Sequence, residues 1–319
     1  MENVLNRTKG LVIPPFPNRV TVELTNNCNL KCAMCPRVYM KSSTGYMSIS
    51  LFKKIIDEIS TYNDIALVPF FRGESLLHPE FIEMMTYVKE KDISPVQLTT
   101  NATTLTEDIA QALIDIELDF ISFSVDSIDH DIYSNIRKGA DLQNVLNNIE
   151  KFSEIKRKRG QDKPEIQVSV VKTESTNDSI DEFVDFWQDR VDRVRVYEEH
   201  SKGGNYGSLS ENQNVIVSEK RQPCLKPFSD FIIYWDGSVA LCNHDWDRRD
   251  AIGNVNQSSI KEIWQNDKYE KIRDAHIKNN SELEELCKRC DHWKSYYVEQ
   301  HQIGELYVGN SKTTATTIL

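Results

Sequence analysis

The chain has 319 residues, 36.9 kDa, with 39% hydrophobic and 27% charged residues, enough for one large α/β domain or for such a domain with a small appendage. A formal net charge of -11 argues against nucleic-acid binding, which needs a surplus of Lys and Arg on some face. No apolar run approaches the roughly 20 residues of a membrane span, and the opening MENVLNRTKG lacks a secretory apolar core, so the expected setting is the cytoplasm, with no membrane partner.

Strand and helix patterns alternate along the first two-thirds of the chain. A strand at Val20 to Leu24 in RVTVELT is followed by a helix over about 49 to 60, with Leu51, Ile55, Ile56 and Ile59 on one face. A strand near 65 to 71 precedes a helix from Pro79, a residue suited to a first helical turn, with Phe81, Met84, Met85 and Val88 inward. Next come strands near 96 to 100, 120 to 126, 166 to 172 and 193 to 198, with helices near 107 to 115, 141 to 158 and 179 to 188. The basic run Lys156 to Arg159 reads as a solvated helix end. Strict alternation implies parallel strands joined by right-handed crossovers, and six units predict an α/β fold of the open, partial (β/α)6 barrel kind. Sites in such folds gather at the carboxyl ends of the strands.

Near residue 200 the alternation stops in SKGGNYGSLSENQNV, a linker by composition. The expected division is a core over 1–215 and a small α+β domain over 216–319. The second part holds a hairpin at Asp236-Gly237 within FIIYWDGSVALC, a helix near 258 to 275, and a final ten residues, NSKTTATTIL, that read as a frayed tail.

The seven cysteines divide into two sets. Cys28, Cys32 and Cys35 form C-x3-C-x2-C directly after the first strand, where a barrel places its chemistry. Three thiolates can hold three irons of a four-iron cluster and leave the fourth iron open. Cys224, Cys242, Cys287 and Cys290 can saturate either a four-iron cluster or a zinc ion, and spacing alone does not name the metal.

In these features the sequence resembles the radical S-adenosylmethionine superfamily, whose signature is this C-x3-C-x2-C after the first strand of a partial (β/α)6 barrel. Phe71-Arg72-Gly73-Glu74 is similar to the family's GGE segment, which holds the methionine amino group; Arg72 replaces the first glycine, so Gly73 and Glu74 carry over. The family's aromatic position before the last cysteine is Met34 here, a flexible side chain able to pack on adenine. Asn101, Ser124, Asp126 and Ser169 are similar to the polar strand-end positions that line the ribose and carboxylate. The resemblance implies that the open iron binds S-adenosylmethionine, whose reductive cleavage yields a 5′-deoxyadenosyl radical, with a flavodoxin- or ferredoxin-type electron donor.

The segment from Cys224 through WDGSVALC, HDWD and IGNV to Cys287-x2-Cys290 resembles the SPASM and shorter twitch extensions, whose auxiliary clusters are iron–sulfur. Four cysteines imply a second [4Fe-4S] cluster fully held by protein, an arrangement similar to the 2-deoxy-scyllo-inosamine dehydrogenase type. Three plus four leaves no free thiol to return a hydrogen atom, so oxidation of a secondary alcohol in a sugar, aminocyclitol or related small molecule is the expected reaction. Modification of a ribosomally made peptide is one alternative, and a non-catalytic iron–sulfur or zinc protein is another. Arg195, Tyr197 and Glu198 on the sixth strand, with His244 and Asp245 after Cys242, stand where substrate would lie between the clusters. His244 has the unperturbed basicity of a general base near neutral pH.

Overall fold

The computed structural model describes residues 12–199, 221–246, 248, 251–279, 283–290, 292–296, 304–308 and 311–314. The proposed linker over 201–215 and the boundary at 215/216 lie outside these.

Six strands run parallel in chain order. They are β1 (Arg19–Val22), β2 (Ala66–Val68), β3 (Gln97–Thr100), β4 (Phe120–Ser124), β5 (Glu165–Lys172) and β6 (Arg193–Glu198). The first pairs with the second, and β3 to β6 pair in sequence, while a Leu67–Val96 bridge joins the two groups into one arc, the partial (β/α)6 barrel. Strand β2 is shorter than expected because Pro69 follows Val68 and has no N–H to continue the ladder.

Alternating residues give the arc two different faces. Val20, Val22, Ile121, Phe123, Val168, Val170, Val194 and Val196 are buried in the main apolar core. The intervening positions are polar, and on this concave side Gln167 Nε2 donates to Ser122 Oγ at 2.9 Å. Arg19 Nη1 reaches across β2 to Gln97 Oε1 at 3.2 Å, a contact that needs the strands to curve toward each other. Parallel sheets usually bury both faces as apolar runs; here one face is a polar lumen.

The helices turn apolar stripes to the core and are capped locally. They are α1 (Ile49–Ile59), α2 (Phe81–Glu90), α3 (Glu107–Asp115), α4 (His130–Ile136), α5 (Leu142–Lys158) and α6 (Ile180–Trp187). Ser48, Thr106, Asp129 and Asp141 cap α1, α3, α4 and α5 through side-chain oxygens. Helix α4 was not expected from the periodicity, because seven residues are too few to show one. Pro79 lies just before Glu80, the N-cap of α2, and so falls outside the helix.

The C-terminal segment builds onto both ends of this arc. Strand β7 (Asp230–Ile233) pairs parallel with β1 and turns at Gly237, whose φ of +85° suits glycine, into β8 (Val239–Ala240). At the far end β9 (Gly304–Val308) pairs antiparallel with β6, and β10 (Ser311–Thr314) with β9. Residues 311–314 of the expected tail are therefore strand. The expected helix near 258 to 275 is two, α7 (Ile260–Trp264) and α8 (Asp267–Lys278), because the Asn266 side chain starts a new cap by accepting from Tyr269 N–H. A short α9 (Glu285–Arg289) carries Cys287. No described helix is long and apolar enough to cross a membrane.

Candidate functional site

The chain leaves β1 into a loop held by buried polar side chains. Thr25 Oγ1 donates to Gly45 O at 2.7 Å, and Asn26 both donates to Ser43 O (2.8 Å) and accepts from Gly45 N–H (2.9 Å). Arg37 Nη2 donates to the carbonyls of Cys28 and Leu30, each at 3.2 Å, which closes the loop on itself. Lys31 and Ala33 N–H groups donate to Lys138 and Ile136 carbonyls, so the segment after α4 forms the opposite wall. Cys28, Cys32 and Cys35 thus share one ordered loop, and all are free thiols. Burial raises the Cys28 and Cys32 thiols, so their thiolates need a cationic partner, which a metal supplies.

Gly73 packs the neighbouring loop against this one. A Cβ there would meet Thr25 O at 2.3 Å and Asn27 O at 2.5 Å, so no other residue fits. Glu74 N–H donates to Asn27 O at 2.7 Å. The buried Glu74 carboxylate accepts from Thr100 Oγ1 (2.7 Å), Asn101 N–H (2.8 Å) and Leu76 N–H (3.2 Å), and its burial raises its pKa. It therefore braces the ends of β2 and β3. Asn101 donates through Nδ2 to Asn29 Oδ1 at 3.1 Å, and the same nitrogen stands 3.9 Å from Cys28 Sγ.

Register aligns three further expected residues. Ser124, Ser169 and Arg195 are cross-strand partners on β4, β5 and β6. The Ser169 hydroxyl donates to Phe123 O at 3.5 Å. Arg195 is buried with its guanidinium 4.9 Å from the Tyr197 ring, and burial works against its charge. Asp126, at a φ of +68°, pairs with Arg137 at 2.5 Å and accepts from Val171 N–H at 2.9 Å. Met34 is half-buried in the cysteine loop, and the Glu198 side chain lies outside the described residues.

Sequence reasoning missed Arg137 and Tyr133. Burial opposes the charge of Arg137, but Asp126 holds it protonated, and its Nη1 lies 3.7 Å from Cys32 Sγ. The buried Tyr133 hydroxyl meets no partner among the described residues, and burial pushes it up to about 12. Both depend on α4, whose only sequence signal was the Asp129 cap.

Arg72, standing where the resembled motif has glycine, has its own partners. Its guanidinium forms two bonds to Glu23, at 2.6 and 2.9 Å, with both side chains fully buried. Its Cζ lies 4.2 Å from the Tyr234 ring, and Arg248 stands at the same distance. The Tyr234 hydroxyl donates to Asp245 O at 2.7 Å, three residues beyond Cys242. This chain of contacts links the first cysteine loop to the second set.

Cys224, Cys242, Cys287 and Cys290 line one cavity together with Arg221, His244, His276, His292 and Trp293. Burial raises Cys242 and pushes Cys224 up to about 11 and Cys287 to about 12, with neighbouring cysteines adding to the effect. The expected base His244 is buried in this cavity, its ring 4.6 Å from His292, and its backbone N–H donates to Cys242 Sγ at 3.3 Å. Among the described residues no three His, Cys, Asp or Glu side chains converge on a single-ion position. The four cysteines of the second set are instead brought together as lining residues of one small cavity.

The residues present fit S-adenosylmethionine and iron–sulfur clusters: three soft donors on one loop, a glycine that no side chain can replace beside them, and four cysteines lining one cavity, Cys287 buried and the other three partly so. A family model described as the radical SAM superfamily matches residues 22–186, just over half of the chain, and one described as an iron–sulfur cluster-binding (SPASM) domain matches 224–291. The chain is 23% identical over 289 residues to a tungsten-containing aldehyde ferredoxin oxidoreductase cofactor-modifying protein of Pyrococcus furiosus, covering 78% of this chain and 81% of that one. It is 23% identical over 292 residues to an S-adenosyl-L-methionine-dependent 2-deoxy-scyllo-inosamine dehydrogenase of Niallia circulans, covering 88% and 96%. Among solved structures, Streptococcus suis SuiB bound to precursor peptide SuiA superposes with a TM-score of 0.67 at 15% identity, over 85% of this chain and 70% of that one. BtrN in complex with AdoMet and 2-DOIA gives 0.57 at 19%, over 86% and 92%. The chain therefore belongs to the radical S-adenosylmethionine superfamily, as an enzyme with [4Fe-4S] clusters and a C-terminal SPASM segment.

Proposed function

We propose that this enzyme oxidises a secondary alcohol of a sugar, aminocyclitol or related small polar molecule to a ketone. The observation that supports the reading is the division of the seven cysteines, three on the β1 loop and four lining one cavity, so that on this reading every thiol belongs to a cluster. No cysteine is then left to return a hydrogen atom to a substrate radical, whereas an oxidation needs only an electron acceptor. Similarity to the dehydrogenase over 96% of its length supports the same reaction class.

When bound, the first cluster and S-adenosylmethionine supply a 5′-deoxyadenosyl radical, which removes a substrate hydrogen. The remaining balance is one proton, leaving from the hydroxyl, and one electron, leaving toward the second cysteine set. The protein's own groups shape that path. The polar concave face offers Ser124, Ser169 and Arg195 in a row to hydroxyl-rich substrates, and the fully buried Arg72–Glu23 pair lies against the Tyr234 ring. His244 and Asp245 are the candidate proton acceptors beside that cavity.

The test is anaerobic incubation of reduced, reconstituted enzyme with S-adenosylmethionine and a panel of cyclitols, aminocyclitols and sugars. Expected is one ketone formed per 5′-deoxyadenosine in the presence of one panel member. Cleavage of S-adenosylmethionine with no two-electron oxidised product from any of them rejects the reading. The likeness to peptide-bound SuiB favours a second reading, modification of a ribosomally made peptide, for which a mass change in a co-encoded short peptide is the corresponding result.

A further inference from the structure

His276 stands on α8 with only 2% of the residue exposed. Its Nδ1 accepts the backbone N–H of Cys224 at 3.4 Å. A neutral imidazole that accepts at one nitrogen carries its proton on the other, so the contact assigns the hydrogen to Nε2. That nitrogen is buried and meets no acceptor among the described residues, while the ring lines the cavity ringed by the four cysteines. Buried donors are paired in native proteins almost without exception, and an unpaired one calls for a bound group.

Arg221 repeats the pattern. Its Nη1 donates to Cys290 O at 3.3 Å, its Nε is buried without an acceptor among the described residues, and it lines the same cavity. Two N–H donors are thus each tethered to the backbone of a cavity cysteine, with a second polar atom unpaired.

We propose that His276, through Nε2–H and seconded by Arg221 Nε–H, donates a hydrogen bond to sulfur of the auxiliary cluster and raises its reduction potential. Reduction adds negative charge to the cluster sulfurs, so a fixed N–H donor stabilises the reduced form more than the oxidised one. His276 is a positioning residue in this role: it touches neither substrate nor the reacting carbon, and it prepares the second set to accept an electron. The inference rests on that set holding an iron–sulfur cluster and deepens the oxidative reading.

The test uses the full chain with both clusters, as His276→Phe and His276→Gln. Phenylalanine keeps the ring volume and removes the donor, whereas glutamine can place an N–H near the Nε2 position. Iron and sulfide are counted first, and the potential is then read by electron paramagnetic resonance during redox titration, following the signal that does not respond to added S-adenosylmethionine. Expected is a fall in midpoint potential for His276→Phe and recovery of most of it in His276→Gln. A fully loaded His276→Phe protein with an unchanged midpoint overturns the proposal. If His276→Phe fails to load, unsubstituted protein labelled with 15N-histidine decides by pulsed resonance. A 15N coupling and an exchangeable proton that are present in the wild type, with the 15N coupling lost in His276→Gln, support the hydrogen bond; no change in that coupling overturns it. A second set that takes up zinc and no iron overturns both this inference and the electron-acceptor reading, and the metal count separates that outcome from an unchanged potential.

Discussion

Two buried side chains, Arg72 and Glu23, place charge where solvent does not reach. Their two short hydrogen bonds compensate each other, and Trp235 N–H adds a third contact to the carboxylate at 3.2 Å. Removing one partner strands the other in a low-dielectric interior. We expect Arg72→Met to lose about 3–5 kcal/mol of stability, the cost of an uncompensated buried charge. The double variant Glu23→Gln, Arg72→Met is expected to recover a substantial part of that loss, which urea unfolding of the single and double variants measures. If the single variant unfolds at the wild-type midpoint, the pair is not a structural link. Gly73, the next residue, shows the same economy of space, since its backbone lies against Thr25 and Asn27 where any side chain would collide.

Capping decides several element boundaries that periodicity blurs. The stretch near 258 to 275 reads as one helix, but Asn266 accepts from Tyr269 N–H and divides it, starting α8, the helix that carries His276 to the second cavity. Asn266→Ala is expected to cost about 1 kcal/mol, the usual effect of losing a side-chain N-cap. A lowered thermal midpoint with the same iron content is the expected measurement, and an unchanged midpoint would show that packing of α8 suffices by itself. Helix α4 makes the same point from the other side. Its seven residues are too short for a periodic signal, yet Asp129 caps it and it carries Tyr133, with Arg137 at its end. The basic run at the end of α5 is a solvated helix end as expected, with Lys156 paired to Asp192 at 3.0 Å and Lys158 to Glu154 at 2.7 Å.

For the whole molecule, the second cysteine set is a joint as well as the candidate metal site. Cys224 precedes β7, which extends the barrel arc on β1, while Cys242 follows β8 and Cys287 and Cys290 come from α9 and its end. Metal removal is therefore expected to loosen the contact between the hairpin and α9 and to lower the thermal midpoint. Reconstituted protein should hold about eight irons if both sets carry four-iron clusters, and about four with one zinc if only the first does. Iron, zinc and sulfide analysis of the same sample decides.

Cysteine spacing, strict alternation of strands and helices, and the FRGE segment were readable along the chain because each is local: ligands three or four residues apart share a loop, and period-2 and period-3.6 patterns declare their faces. The polar lumen was also written there, in the alternation of RVTVE, IQVSV and RVRVY, although only the curved sheet shows which face is concave. Tertiary structure decided what distance along the chain conceals. Arg137 meets Cys32 across 105 positions, Arg72 meets Glu23 across 49, and His276 meets Cys224 across 52. It also placed β9 and β10 on the open edge of β6, where residues reading as a polar tail gain backbone partners. Contacts of that kind arise from strand order and helix seating, which follow from burying all the apolar faces at once and are set by no single segment.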